Sequence, residues 1–236
     1  MTSDNIKTTR AGGRGLAVRV KTAKGRKSSS TRWLKRQLND PYVAHARSQG
    51  YRSRAAFKLV ELDSQLNILR KGLRVLDLGA APGGWTQVAL ERVGSRGKVF
   101  ALDNREWEEV AGATCLTFDF LDIDATDRLL TVLGGPIDVV LSDMAAPSTG
   151  HSKTDHIRII ALAEEAWNFA EQILSNNGTF VCKVFQGGTE GELLKKIRKS
   201  FTKVTHNKPP ASRKESAEVY LVAKGFRKLK ELVAVS

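Results

Sequence analysis

Hydrophobic and polar positions alternate with two different periods along the middle of the chain. Compact apolar runs predict five strands, at residues 73–78, 98–103, 113–119, 137–143 and 178–185. Apolar residues at helical spacing predict three helices between them, at residues 83–93, 124–133 and 155–174. This succession is typical of the α/β class, with an open, mainly parallel sheet that carries helices on both faces.

The segments on either side extend this pattern. Short helices are predicted at residues 31–38 and 42–48, with a turn at Asn39-Asp40-Pro41 between them. Ser53 predicts the cap of a further helix that runs to about residue 66. The inner face of this helix has four apolar residues, Ala56, Leu59, Val60 and Leu66. Beyond the central region we predict a basic helix at 189–201 and strands at 203–208 and 216–226.

The predicted strand "GTFVCKVFQGG", residues 178–188, contains one charged residue. Its apolar residues are those of a strand covered on both faces, yet Lys183 lies among them. Burying an unpaired ammonium is costly. We therefore expect Lys183 near the carboxyl end of its strand, open to a cleft, with carboxylates as partners.

Composition limits the class of protein. With 236 residues, 41% hydrophobic and 27% charged, the chain is long enough for one substantial soluble domain. No apolar run is long enough to span a bilayer, and the basic start lacks the apolar core of a secretory signal, although an organelle transit peptide is an alternative. Cys115 and Cys182 lie in predicted strands without metal-ligand spacing, so we expect no metal site and a reduced, cytoplasmic setting.

The positive charge is concentrated at the N-terminal end. Residues 1–54 contain 14 Lys and Arg residues and two acids, whereas the whole chain has a net charge of +13. We expect residues 1–30 to be a disordered basic extension and residues 31–54 a basic helical segment that binds RNA. The simpler alternative is that the basic extension only improves solubility. Binding of the extension to an anionic membrane is disfavoured because it lacks a large apolar face.

Acidic residues follow three successive strands. "DLGAAPGGWTQ", residues 77–87, is a glycine-rich turn that follows the first strand but is not the G-x-G-x-x-G fingerprint. Asp77 precedes this turn, Asp103 ends the second strand in a position to bind ribose hydroxyls, and Asp119 ends the third near an adenine edge. Each is weak evidence alone. Together they predict an adenosine pocket without a phosphate cradle, which favours S-adenosylmethionine over NAD or ATP.

Four further residues are candidates for chemistry at the same edge. Asp143 ends the fourth strand, Lys183 ends the fifth, and Glu218 begins the last strand, whose start reaches this edge if it runs antiparallel. Lys58 lies on the helix before the sheet. Lys58 and Glu218 are each explained more simply as surface residues and Asp143 as a turn cap, whereas Lys183 is hard to explain structurally.

The segments "RSRAAFKL", "VLDLGAAPGGWTQ", "LSDMAAP", "FVCKVFQG" and "AEVYLVA" resemble the FtsJ/RrmJ family of RNA 2′-O-ribose methyltransferases across residues 28–226. The likeness is closest to bacterial members that methylate a uridine of large-subunit ribosomal RNA. The resemblance implies a class I (Rossmann-like) methyltransferase domain at residues 31–226 with a seven-stranded sheet. The tail at 227–236 receives no assignment.

The resemblance also implies site residues. The family's catalytic tetrad falls on Lys58, Asp143, Lys183 and Glu218. Its S-adenosyl-L-methionine contacts fall on Gly83, Trp85, Asp103, Asp119 and Asp143. One departure is "SDMAAPSTG", where bacterial relatives read closer to "SDMAPN", and the long N-terminal extension is not a shared feature.

The expected reaction is attack of a ribose 2′-oxygen on the methyl group of a sulfonium. Lys183 is either the base or an ammonium that steers the oxygen, because burial favours the neutral amine and neighbouring carboxylates favour the cation. We expect Asp143 and Glu218 to be the partners of Lys183, and Lys58 to hold the substrate. The protein is expected to be a monomer that acts on the assembling or assembled 50S subunit. A tRNA anticodon loop or mRNA cap as substrate, and a non-catalytic assembly factor, remain alternatives.

Overall fold

A computed structural model describes residues 28–187 and 191–228. The expectations for the first 27 residues and for residues 229–236 lie outside this described part. The chain divides into two units, residues 1–44 and residues 45–236. Within the first unit, helix α1 spans Ser28–Leu38.

Helix α2, Pro41–Ser48, begins in the first unit and ends in the second. Its start has clear local causes, since proline suits the first helical position and Asp40 precedes it. The Oδ1 atom of Asp40 accepts a hydrogen bond from the Tyr42 amide at 3.0 Å. An acid in this position satisfies an amide that the helix itself leaves unpaired.

The second unit alternates strands and helices over most of its length. Its further helices are α3 (Ala56–Leu66), α4 (Gly84–Val93), α5 (Ala125–Leu133), α6 (Ser152–Ile173) and α7 (Gly191–Ser200). Its strands are β1 (Arg74–Leu78), β2 (Lys98–Asp103), β3 (Thr114–Thr117), β4 (Ile137–Ser142), β5 (Leu174–Phe185), β6 (Phe201–Asn207) and β7 (Glu218–Phe226).

The seven strands form one sheet in the order β3-β2-β1-β4-β5-β7-β6. The pairs among β1 to β5 are parallel, whereas β7 runs antiparallel to both β5 and β6. The predicted α/β class and the antiparallel last strand are therefore confirmed. Because β7 is reversed, its first residue lies at the edge where the parallel strands end.

Side-chain alternation divides the core into two layers. Phe180, Cys182 and Val184 of β5 join the layer beneath α5, α6 and α7. Val181 of the same strand joins the other layer, which packs against α3 and α4. Two-residue periodicity places Lys183 on the Val181 side, facing α3.

Two predicted boundaries were wrong. Ser53 does not cap α3, because Ala55 holds the N-cap position and the Ser53 hydroxyl is buried without a hydrogen-bond partner. Strand β5 begins at Leu174, directly after α6, rather than at Gly178. The intervening Ser-Asn-Asn reads as a turn, and Asn177 does adopt a left-handed φ of 64°, yet the segment continues as strand.

Candidate active site at the carboxyl edge of the sheet

Five polar side chains from four elements form a continuous hydrogen-bonded chain at the carboxyl edge of the sheet. We refer to them as the network: Lys58, Asp143, Lys183, Glu218 and Tyr220. Alternation places them on one face, since Asp143 lies two residues after Leu141, Lys183 two after Val181, and Glu218 and Tyr220 precede Val222. Helix α3 covers this face and contributes Lys58.

Lys183 and Asp143 make the closest pair at this edge. The Lys183 Nζ atom donates to the Asp143 backbone oxygen at 2.7 Å and to its Oδ1 atom at 3.0 Å. Lys183 is 7% exposed, so the expected compensation of a buried ammonium by Asp143 is present. These contacts use two of the three N–H groups of Lys183, which leaves one for an oxygen in the cleft.

The expected pairing of Glu218 with Lys183 is wrong. Glu218 lies opposite Phe185 in the β5–β7 register, and Tyr220 lies opposite Lys183. The Glu218 carboxylate instead reaches α3, where both of its oxygens lie 2.8 Å from Lys58 Nζ. Ser212 also donates to Glu218 Oε1 at 2.8 Å.

Tyr220 joins the two ion pairs, and the sequence analysis missed it. Its hydroxyl donates to Asp143 Oδ1 at 2.8 Å and accepts from Lys58 Nζ at 3.1 Å. Tyr220 could have been predicted from the sequence, because residues two apart on a strand share a face and Glu218 was already a candidate. The three N–H groups of Lys58 thus point at Glu218 and Tyr220.

Charge compensation fixes the ionisation of the network. Burial alone would raise the pKa of Asp143, but Lys183, Lys58 and the Tyr220 hydrogen bond together hold it below its usual value. Burial, followed by the charges of Asp143 and Glu218, raises the pKa of the Tyr220 hydroxyl well above its usual value. At neutral pH, Asp143 is therefore ionised and Tyr220 keeps its proton as the donor of the bridge.

A cavity of about 1020 Å³ adjoins the network. Its lining includes Asp103, Asp119, Asp143 and Lys183, which brings together two of the predicted tetrad residues and three of the predicted donor contacts. Gly79 also lines the cavity. A Cβ atom at this position would lie 2.8 Å from the Met144 Cα atom, so only glycine allows the chain after β1 to pack this closely against the segment after β4.

The two outer acids of the cavity have local partners. Asp103 accepts from the Ala81 amide at 2.9 Å and from the Arg105 amide at 3.0 Å, and it pairs with the Arg105 side chain at 3.2 Å. Asp119 lies two residues beyond the end of β3 and accepts from the Leu121 amide at 3.0 Å. Mostly backbone donors therefore orient both carboxylates.

Gly83 and Trp85 lie beside the cavity but do not line it. Gly83 has φ 107°, and a Cβ atom there would lie 2.6 Å from Val110, so this position requires glycine. Trp85 is 3% exposed, donates to the Ala55 carbonyl at 2.8 Å and packs 5.4 Å from the Tyr220 ring. Both residues shape the turn between β1 and α4, and their contact with a methyl donor stays a prediction.

Asp77 is the most deeply buried acid near the site. It is 0% exposed, and its Oδ2 atom accepts from Thr86 at 2.8 Å while its Oδ1 atom has no partner. Burial raises its pKa to about 7; the Thr86 hydrogen bond opposes this, and the charges of Asp143 and Asp103 add to it.

Two arginines counted in the basic segment have internal partners. Arg52 donates to the carbonyls of Pro82, Glu108 and Glu109, and so ties the glycine turn to the segment after β2. Arg54 donates to the Ala211 carbonyl, between β6 and β7. A charge count cannot separate such structural cations from those that meet RNA.

Residues 28–187 and 191–228 lack two kinds of feature. No helix there is long and apolar enough to cross a membrane. In the same residues, no group of three or more His, Cys, Asp or Glu side chains could hold a metal ion.

Comparison with known proteins identifies a protein family that matches most of the chain. A model of the family described as FtsJ-like methyltransferase matches residues 51–226. The chain is 62% identical over 222 residues to ribosomal RNA large subunit methyltransferase E of Rhodospirillum rubrum, which covers 92% of this chain and 84% of that one. It is 55% identical over 228 residues to the protein of the same name from Roseobacter denitrificans, covering 93% and 95%.

Solved structures include a similar chain. A Plasmodium falciparum crystal structure described as a ribosomal RNA methyltransferase superposes with a TM-score of 0.66 and is 32% identical. The match covers 75% of this chain and 98% of that one. The residues matched by the family model, 51–226, include the whole sheet and every residue of the network.

Proposed function

The chain belongs to the FtsJ-like methyltransferase family, and on that premise we propose that it transfers a methyl group from S-adenosyl-L-methionine to the ribose 2′-hydroxyl of a uridine in large-subunit ribosomal RNA. One observation carries the proposal. The network reaches the cavity at Asp143 and Lys183, so an ammonium with a spare N–H group borders a space suited to an adenosyl ligand.

The cavity residues fit this methyl donor. Asp103, Asp119 and Asp143 favour a ligand with hydroxyl groups, an amine and a positive charge over one with a pyrophosphate. The volume of the cavity, about 1020 Å³, is ample for a molecule of this size, since small-ligand pockets span roughly 300–1,000 Å³. Asp103 would hold the ribose and Asp119 the adenine.

The network then prepares the acceptor. Bound S-adenosylmethionine supplies a methyl carbon on a sulfonium, so the 2′-oxygen lone pair forms the C–O bond as the S–CH₃ electron pair returns to sulfur. The ionised carboxylate of Asp143 lies 3.0 Å from Lys183 Nζ and holds that side chain at the edge of the cavity. Lys183 therefore donates its third N–H to the 2′-oxygen and aims a lone pair at the methyl carbon. The hydroxyl proton leaves to water on the open side of the cleft.

An RNA substrate also suggests a role in phosphate binding for the basic N-terminal segment, residues 1–27, here called the arm. The first 27 residues contain eight Lys and Arg residues, which would release counterions from the phosphate backbone. We propose that the reaction takes place in the cytoplasm, on the assembling or assembled 50S subunit. A monomer suffices, because one chain supplies the entire network.

The direct test is methyl transfer from labelled S-adenosylmethionine to large subunits and to naked RNA, followed by nuclease digestion. We expect 2′-O-methyluridine in large-subunit RNA. Methylation confined to transfer RNA or to a cap would overturn the substrate while keeping the chemistry. Binding to subunits without transfer would identify a non-catalytic assembly factor instead.

Deleting residues 1–27 tests the arm. We expect weaker RNA binding and a flatter dependence of the binding constant on salt, because each lost phosphate contact lowers the slope by roughly 0.7 to 0.9. Filter binding at several salt concentrations measures this, and affinity for S-adenosylhomocysteine serves as the control. An unchanged slope would show that the arm does not meet phosphates.

A further inference from the structure

The connection between β6 and β7, residues 208–217, here called the strap, contains residues buried as deeply as the core. Ala211 is 0% exposed and Ser212 is 4% exposed, whereas Lys214 and Glu215 are exposed. Connections usually run over the surface, because buried backbone groups need partners. Specific contacts must therefore hold the strap in place.

The segment that carries Lys58 supplies these contacts. The Ala211 amide donates to Glu61 Oε2 at 2.6 Å, and Arg54 donates to the Ala211 carbonyl. Arg54 precedes α3 and Glu61 lies within it, so the two contacts fall on either side of Lys58 along the chain. The strap is fixed to the helix that presents Lys58.

Ser212, the next residue of the strap, directs its hydroxyl at the network. It donates to Glu218 Oε1 at 2.8 Å, the same oxygen that lies 2.8 Å from Lys58. Lys58 also lies 2.8 Å from Oε2. A carboxylate bound by one donor could rotate about its final bond, whereas Ser212 and Lys58 together define its plane.

We propose that Ser212 is a positioning residue for methyl transfer, an inference that rests on the proposed function. Ser212 fixes the carboxylate plane of Glu218, and Glu218 fixes Lys58. The Tyr220 hydroxyl is hydrogen-bonded to both Lys58 and Asp143, so the position of Lys58 in turn restricts that of Asp143. Ser212 touches neither donor nor acceptor, because it is buried and lies outside the residues that line the cavity.

Ser212→Ala tests the proposal through a split in kinetic constants. We expect kcat to fall about tenfold, since small misplacements of reacting groups cost factors of this order or more. KM for RNA and affinity for S-adenosylhomocysteine should change less than about twofold. Ser212→Thr keeps the hydroxyl and should recover most of kcat.

Ser200→Ala is the matched control. Ser200, the last residue of α7, is also a buried serine, 3% exposed, and its hydroxyl donates to Glu171 of α6 at 3.4 Å. It has no contact with the network. We expect this variant to lose comparable stability in urea denaturation and to retain kcat. An equal fall of kcat in both variants would reduce Ser212 to a structural role.

A second measurement separates this proposal from the proposed function. In a Glu218→Gln background, Ser212→Ala should lower kcat no further, because Ser212 acts through that carboxylate. Full kcat for Ser212→Ala would overturn the positioning role, whereas no transfer by the wild type would overturn the function. A crystal structure of Ser212→Ala with both 2.8 Å contacts between Glu218 and Lys58 intact would overturn the positioning role whatever the activity.

Discussion

The carboxyl edge of the sheet carries two sets of acids that are held in different ways. On the β4, β5 and β7 side, side chains from distant elements bind one another in the network. On the β1, β2 and β3 side, Asp103 and Asp119 accept mainly from backbone amides. These amides lie two residues further along the chain or, for Ala81, in the glycine-rich turn after β1. Asp77 leaves one oxygen without a partner.

The difference has a consequence for substitutions. In the network each group depends on its neighbours, since Tyr220 binds both Asp143 and Lys58. One change should therefore alter the geometry of the others, and combined changes should not add. Asp103 and Asp119 share no hydrogen-bond partner with the network, so the effects of changing them should stay local and combine independently with changes in the network.

The largest expected effect comes from Lys183→Ala. Removing the group that we propose meets the 2′-oxygen should lower the rate of methyl transfer by about 10³-fold or more, since general acid–base or steering groups contribute about 10²- to 10⁴-fold. Binding of S-adenosylhomocysteine, measured by calorimetry, should stay within a few-fold. Loss of binding in parallel with activity would make the lysine structural, and the two sides would no longer be separable.

Asp103→Asn should have an intermediate effect of the opposite kind. If Asp103 accepts the ribose hydroxyls as proposed, its replacement should weaken S-adenosylhomocysteine binding about 10- to 100-fold, because hydrogen bonds to charged groups contribute about 1.5–3 kcal/mol. The rate at saturating donor should change little. Asp138→Asn, an acid on β4 whose partners are Arg74 and Ser175, is the control. A fall in saturated rate as large as the fall in affinity would contradict the local character of this side.

Asp77→Asn should have the smallest effect on methyl transfer, and its consequence should be a change in the dependence of stability on pH. The pKa of Asp77 is raised to about 7 in the folded protein, against 3.8 for an unperturbed aspartate. Between those values the folded state binds more protons than the unfolded state, so its contribution to stability falls as pH rises and levels off above about pH 7.

The expected size of this contribution is at most about 4 kcal/mol over that range. Urea denaturation of wild type and Asp77→Asn at several pH values measures it as a difference between two curves. Wild type should lose stability relative to the variant from about pH 4 to pH 7. A difference that does not change over this range would show that the Asp77 carboxyl titrates normally.

The strand pattern and the motifs predicted most of the fold and the identity of the charged residues at the edge. Apolar runs located the parallel strands because burial on both faces leaves a strong signal. The pairing of the charges was not predictable, since it depends on register. A shift of two residues in the register between β5 and β7 would place Glu218 rather than Tyr220 opposite Lys183, and no sequence pattern fixes that register.

Other features depend on contacts between distant segments. Arg52 and Arg54 belong to a basic segment by composition, but the carbonyls they bind come from residues 82, 108, 109 and 211. The failure of Ser53 to cap α3 is similar, because the helix begins two residues later than the local pattern predicts. A pattern of neighbouring residues in the sequence cannot reveal partners that lie so far away along the chain.

A double-mutant cycle on the rate of methyl transfer tests most directly the central claim that the network acts as one unit. We expect Tyr220→Phe to lower kcat about tenfold in the wild type, by loss of a hydrogen bond to a charged group. In a Lys58→Met background the same change should cost little further. In an Asp103→Asn background it should keep its full cost. Equal costs in all three backgrounds would contradict the claim, and the network would be a set of independent contacts.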